Sequence, residues 1–199
     1  MKNLITPALL SAIITLSACA DKRPNVIFET DLGQIEIEVY QDKAPISAAD
    51  FLYYVDEGLY DNEGFYRVVN AENDPRGMGM SLIQGGRLDM QKVTSSIAHE
   101  RTSETGLLNS AGSVSIARDE PGTGSAAYFF INIGDNNFLD YGGERNPDGE
   151  GYASFGRIVS GMDTVVKIQS QETAEASDDA VTRNQMLVQP VRIKRAYRK

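Results

Sequence analysis

Arg67 stands in the run FYRVV, residues 65–69, where aromatic and β-branched residues alternate as they do on the two faces of a strand. Strict alternation places Phe65, Arg67 and Val69 on one face, a permanent charge beside a phenyl ring and an isopropyl group. Burying an unpaired charge is costly, and a surface charge has no use for aromatic neighbours. Gln84, in LIQGG at 82–86, raises the same question for a neutral amide. Around these two the chain offers an apolar and aromatic set: Leu82; Ile116, Ala117 and Arg118 in SIAR; Phe130 in YFFIN; Phe138 and Leu139 in NFLD; and Tyr152. Any one of these aromatics, taken alone, is most simply a core residue. Arg67 and Gln84 are the exceptions, because polar groups facing apolar neighbours have a partner or a task.

Other chemistries lack their parts. His99 is the one histidine and Cys19 the one cysteine, too few for a Cys-His dyad, an intramolecular disulfide or an ordinary zinc site. His99 beside Glu100 and several serines nominally resembles part of a hydrolase triad, yet no G-x-S-x-G elbow accompanies it, and a structural histidine is the simpler reading. The GTG at 122–124 lacks the Lys-Ser/Thr of a phosphate loop. GGERNPDGEG at 142–151 has the acids of a calcium loop without the EF-hand spacing. No cofactor and no metal are expected.

The elements that would position Arg67 follow from periodicity. NVIFETDLGQIEIEVY, 25–40, is two alternating runs around a Thr-Asp-Leu-Gly turn, a hairpin signal. APISAADFLYYVDEG, 44–58, reads as a helix with Pro45 at its start and Gly58 to close it. Strands are expected at FYRVV, SLIQG, SVSIA, YFFINI, ASFGRIV and PVRIKRAYR. A short helix fits GMDTVVKIQ, with Met162, Val165, Val166 and Ile168 packing inward. The polar stretch 170–185 reads as a surface loop before the last strand. Eight strands joined mostly by loops, with two helices, suit an antiparallel barrel or a sandwich. Closure would remove exposed edges, but periodicity does not choose between the two.

The chain has 199 residues and a formal net charge of −9, enough for one domain with a substantial core. The acidic balance argues against nucleic acid or anionic lipid as a general partner. Residues 1–18 have the layout of a signal peptide: Lys2, an apolar run from Leu4 to Leu16, then small residues. The run is too short for a comfortable membrane span. LSAC, 16–19, resembles a bacterial lipobox, which implies cleavage before Cys19 and acylation of that cysteine. Residues 19–24 then form a lipidated tether and 25–199 the working domain. The expected location is the bacterial envelope, anchored by lipid and facing the periplasm. Ala20 after the cysteine leans towards the outer membrane.

With these motifs in order, the chain resembles the cyclophilins, a family of peptidyl-prolyl cis-trans isomerases. FYRVV, LIQGG, GSVSIAR, YFFIN, FLD and GYASFGRIVSGMDTVVKI follow the family's sequence over nearly all of 25–198, and ETGLLNSAGSVSIARDEPGT and GGERNPDGEGYASFGRIVSGMD resemble its bacterial branch. The resemblance implies a mainly β fold, a closed eight-stranded antiparallel barrel capped by two helices. It implies catalysis by Arg67 with Phe65, Gln84 and Phe130, and a proline pocket of Phe130, Leu139 and Leu82. Ile116, Ala117 and Arg118 would line the peptide groove, with Phe138 and Tyr152 at its rim. Expected partners are proline-containing peptides and unfolded exported proteins, bound by a monomer. Three positions depart from the family: the polar, glycine-rich stretch 70–81 ends in Ser81 where a pocket phenylalanine is usual, with Met78 or Met80 available to fill the gap; Tyr128 replaces a glutamine; and Phe138 replaces the tryptophan of eukaryotic members, which implies weak cyclosporin binding.

The chemistry of that reaction suits the inventory. Rotation about an X–Pro bond meets a barrier of about 18–20 kcal/mol and breaks no bond, so neither nucleophile nor metal is needed. Twisting the amide localises a lone pair on the prolyl nitrogen, and a fixed donor aimed there favours the twisted state over both planar isomers. Two other readings remain at this stage: a non-catalytic module that holds proline-containing segments in the same groove, favoured by the stretch 70–81, and a hydrolase centred on His99.

Overall fold

The Thr-Asp-Leu-Gly turn joins β1 (Asn25–Thr30) to β2 (Gly33–Val39), with Gly33 at φ 139°. In β2 the alternate residues Ile35, Ile37 and Val39 are buried, and in β1 the run Val26, Ile27 and Phe28 is. The computed structural model describes residues 23–88, 96–174 and 182–199; the expected signal segment, Cys19 and most of the tether lie outside the described residues, as do 175–181 of the expected surface loop.

After β2 the chain forms helix α1 (Pro45–Asp56), which starts on its proline as expected and is followed by Gly58 in the left-handed region at φ 62°. Then come β3 (Gly64–Val69), β4 (Leu82–Gly86), the one-turn helix α2 (Thr102–Thr105), β5 (Ser113–Ile116), β6 (Tyr128–Asn132), β7 (Ser154–Ser160), α3 (Met162–Gln169) and β8 (Met186–Arg198). The strands close in the order β1-β2-β7-β5-β6-β4-β3-β8, with β8 returning to β1. All pairings are antiparallel. The fold is therefore the closed eight-stranded barrel, and the sandwich is excluded.

Inward-facing aromatics fill the barrel. Phe129 packs edge-on against Phe28 and Phe65, with ring centroids 5.6 and 5.8 Å apart, and Phe51 of α1 lies 4.9 Å from Phe155. From α3, Val165 and Ile168 enter the core, but Val166, expected inside, is 47 % exposed. Thr164 takes the buried position on that helix instead.

Glycines permit two close approaches in β4. A Cβ on Gly85 would lie 2.6 Å from Phe65 Cδ1, and one on Gly86, at φ 130°, would lie 2.0 Å from the Ala127 carbonyl oxygen. The Gly-Gly pair of LIQGG is thus needed for β4 to sit between Phe65 and the β6 entry.

Candidate active site

Interior positions of β4 and β6 are taken by Ile83, Phe129 and Ile131, so Gln84 and Phe130 must point outward. Arg67 pairs with Gln84 across β3 and β4, and Gln84 pairs with Phe130 across β4 and β6. Directly opposed residues on neighbouring strands share a face, so Arg67, Gln84 and Phe130 form one row over three strands on the outer wall. This row, with Leu82, Ala117, Arg118, Leu139 and Tyr152, lines a groove of about 850 Å³.

The apolar end of the groove is a small satellite cluster of Val69, Met80, Leu82, Phe130 and Leu139, with Ala117, Phe138 and Tyr152 packed against it. The Tyr152 ring meets Phe130 edge-on at 5.3 Å. Met80 is 3 % exposed and supplies the wall left open by the missing phenylalanine. Ser81 serves elsewhere: its Oγ accepts a 3.0 Å bond from Gln169 Nε2, which also donates to the Val69 carbonyl at 2.6 Å. Helix α3 thereby braces the loop behind the pocket.

The loop 70–81 owes its shape to short-range polar contacts. Asp74 accepts from the backbone N–H of Arg76 at 3.2 Å and of Met80 at 3.1 Å. Asn73 Oδ1 accepts from Asn70 N at 2.8 Å. Burial would raise the Asp74 carboxyl, but the backbone donors of Met80, Arg76 and Met78, with the Arg145 charge, hold it below the ordinary carboxylate value. Through this carboxylate the polar loop delivers Met80 to the pocket.

Arg67 is held by two neutral amides. Its Nη1 donates to Gln84 Oε1 at 2.8 Å, while Nε and Nη2 both donate to Gln185 Oε1, at 2.9 and 2.7 Å. Gln84 Nε2 in turn donates to the Tyr66 hydroxyl at 2.9 Å. Burial pushes that hydroxyl up to about 12, so Tyr66 stays protonated under all physiological conditions.

Three expected site residues lie elsewhere. Phe65 is fully buried in the barrel core, and does not share a face with Arg67. The register slips between them: Phe65 pairs with Gly85 and Arg67 with Gln84, so Tyr66 is the extra residue of a bulge. One inserted residue reverses the alternation, sending Phe65 inward and leaving Tyr66 and Arg67 on the groove. Ile116 is also a core residue, while its neighbours Ala117 and Arg118 line the groove. Phe138 is half-buried behind the apolar cluster and does not line the groove.

Arg118 is committed to structure as well as to the wall. It donates to Asp148 through Nη1 and Nη2 at 2.9 and 3.0 Å, to the Gly151 carbonyl at 2.8 Å, and its guanidinium lies 5.2 Å from the Tyr152 ring centroid. That clamp holds the 142–151 loop and Tyr152 against Phe130. His99 contacts the Glu150 carbonyl oxygen at 3.0 Å through Nε2. It lines no part of the groove. The residues that sequence reasoning missed are Tyr66, Asp74 and Gln185. A bulge leaves no periodic signal, and Gln185 ends a stretch whose composition reads as loop.

Comparison with known proteins agrees with this geometry. Residues 25–198 match the family described as cyclophilin type peptidyl-prolyl cis-trans isomerase/CLD. Peptidyl-prolyl cis-trans isomerase B of Escherichia coli (strain K12) is 36 % identical over 153 residues, covering 76 % of this chain and 87 % of the relative. A peptidyl-prolyl cis-trans isomerase of Acinetobacter baylyi is 36 % identical over 169 residues, 84 % of this chain and 83 % of the relative. In fold, the chain superposes on a cyclophilin type peptidyl-prolyl cis-trans isomerase of Cryptosporidium parvum with a TM-score of 0.66 at 20 % identity, covering 89 % and 98 % of the two chains.

Proposed function

The chain belongs to the cyclophilin family and is a peptidyl-prolyl cis-trans isomerase, and on that premise we propose that it acts on exported proteins in the bacterial envelope, with Arg67 as the catalytic donor. The observation that carries the site assignment is the row Arg67–Gln84–Phe130 beside the apolar cluster of Met80, Leu82 and Leu139. The proline ring enters that cluster against Phe130. Arg67 then donates to the prolyl nitrogen as the amide twists out of plane, an interaction stronger in the twisted state than in either isomer. A guanidinium stays protonated at every working pH, and its planar fork keeps its direction. Proline-containing peptides are the substrate class, and the groove beyond the cluster, walled by Ala117 and Arg118, takes the flanking residues.

The envelope location rests on sequence: the signal layout of 1–18 and LSAC before Ala20. Acylation of Cys19 would tether the domain to the membrane, outer more than inner, where newly exported chains wait on slow X–Pro exchange of tens to hundreds of seconds. One experiment tests the catalytic assignment. Exchange between the cis and trans forms of an Ala-Pro-Phe peptide is followed by NMR with the full-length protein in detergent and with its Arg67→Ala variant. Loss of a single oriented donor costs about 10²–10³ in rate, and a variant that keeps wild-type exchange would remove Arg67 from the mechanism. Fatty-acid labelling of the cells, lost in Cys19→Ser, tests the anchor.

A further inference from the structure

Gln185 reaches Arg67 from the far end of the sequence and is the second of the two amides that grip it. It is fully buried, and both ends of its amide are committed. Oε1 accepts from Arg67 Nε and Nη2, and Nε2 donates to the Asn73 carbonyl at 2.8 Å. Only this orientation of the amide works, since the reverse would set NH2 against the guanidinium and oxygen against a carbonyl. The surrounding backbone holds the residue in turn. Gln185 N donates to the Thr182 carbonyl at 3.1 Å, its own carbonyl accepts from Val68 N at 2.8 Å, and Asn184 turns the chain at φ 58°. Asn73 Nδ2 closes the circuit by donating to the Asn184 carbonyl at 2.7 Å and the Val68 carbonyl at 3.2 Å.

We propose that Gln185 is a positioning residue for the isomerase reaction: it fixes the plane of the Arg67 guanidinium and couples that plane to the loop 70–81, which also carries Met80 into the pocket. This rests on the catalytic role proposed above for Arg67. The Gln84 bond, made at the single terminal nitrogen Nη1, permits rotation about that contact. The paired bonds from Nε and Nη2 to one oxygen remove this rotation, because they lie on a second edge of the plane. The polar loop that departs from the family is thereby part of what orients the donor: Asn73 supplies the carbonyl that anchors Gln185, and Asp74 the carboxylate that places Met80.

The test is a double-mutant cycle in the full-length protein in detergent: wild type, Gln185→Leu, Arg67→Ala and the double variant, read by NMR exchange of Ala-Pro-Phe. Misorienting a donor by about an ångström costs on the order of 10²-fold, so Gln185→Leu should lower kcat/KM about 10- to 100-fold through kcat, with KM little changed. In the Arg67→Ala background the same substitution should change nothing. An equal fold loss in both backgrounds would make Gln185 merely structural and overturn the inference. Full activity in Gln185→Leu would overturn it too. If Arg67→Ala itself keeps its activity, the catalytic assignment fails, which is a separate result. Should Gln185→Leu not fold, Gln185→Met, closer in length, takes its place in the cycle. The wild type supplies a check that needs no variant: the Arg67 Nε–H resonance should be protected from solvent exchange, and a freely exchanging Nε–H contradicts the grip.

Discussion

Replacing Asp74 by alanine should open the pocket from behind while leaving the barrel intact. Asp74 is 9 % exposed, and its carboxylate oxygens accept from the backbone N–H of Arg76 at 3.2 Å and of Met80 at 3.1 Å. Hydrogen bonds to a charged acceptor contribute about 1.5–3 kcal/mol each, and the lower figure applies here because the Arg76 amide is only partly buried. Two such bonds sum to about 3 kcal/mol, which at 1.36 kcal/mol per decade is roughly a hundredfold in the ratio of closed to open loop. The loss is local, because the β3–β4 and β4–β6 pairings run only up to Val69 and from Leu82 onward. The Met80 amide, buried in its bond to Asp74, is the reporter: its hydrogen-exchange protection should fall roughly a hundredfold. Peptide affinity should weaken as Met80 leaves the cluster, while the global unfolding transition stays nearly in place. Met80 protection that changes by less than about threefold, a loss of under 1 kcal/mol, would refute the claim that this carboxylate builds the pocket wall.

The same bond should respond to acid. The Asp74 carboxyl is lowered in the folded loop, so its contribution is complete above the unfolded value of about 3.9 and disappears as pH falls through the still lower folded value; Met80 amide protection, followed from pH 6 downwards, should hold until about pH 4 and then decline. Glu100 caps α1 from a distant loop, accepting from Ile46 N at 3.0 Å, Ser47 N at 2.8 Å and Ser47 Oγ at 2.7 Å, where the N-cap residue Ala44 offers no side-chain bond. Glu100→Ala strands two backbone donors at the helix start and should lower the unfolding free energy by about 3 kcal/mol in urea titrations; a midpoint unchanged from wild type would show that water replaces the carboxylate. Gly85→Ala places a methyl 2.6 Å from the buried ring of Phe65 and should cost about 1–3 kcal/mol in the same assay, with full stability indicating that the ring moves aside freely.

Much of this protein is legible in its sequence because the relevant signals are short. Alternation over five to seven residues marks the strands, Pro45 and Gly58 bracket α1, and Gln84 and Phe130 face outward simply because Ile83, Phe129 and Ile131 must face in. Arg67 among apolar residues announces a groove, and the order of motifs names the family and its reaction. What the sequence leaves undecided depends on register and closure, which are set between strands and not within them. Barrel or sandwich is settled only when β8 pairs with both β1 and β3. Phe65 leaves the site because a bulge at Tyr66, required by the pairing of β3 with β4, reverses the alternation. Met80 reaches the pocket because Asp74 folds a polar loop whose composition predicts nothing about where its methionine goes. Gln185 arrives beside Arg67 across 118 positions of chain. No local pattern could announce that contact, since it exists only where two strands distant in sequence are brought to one wall of the barrel.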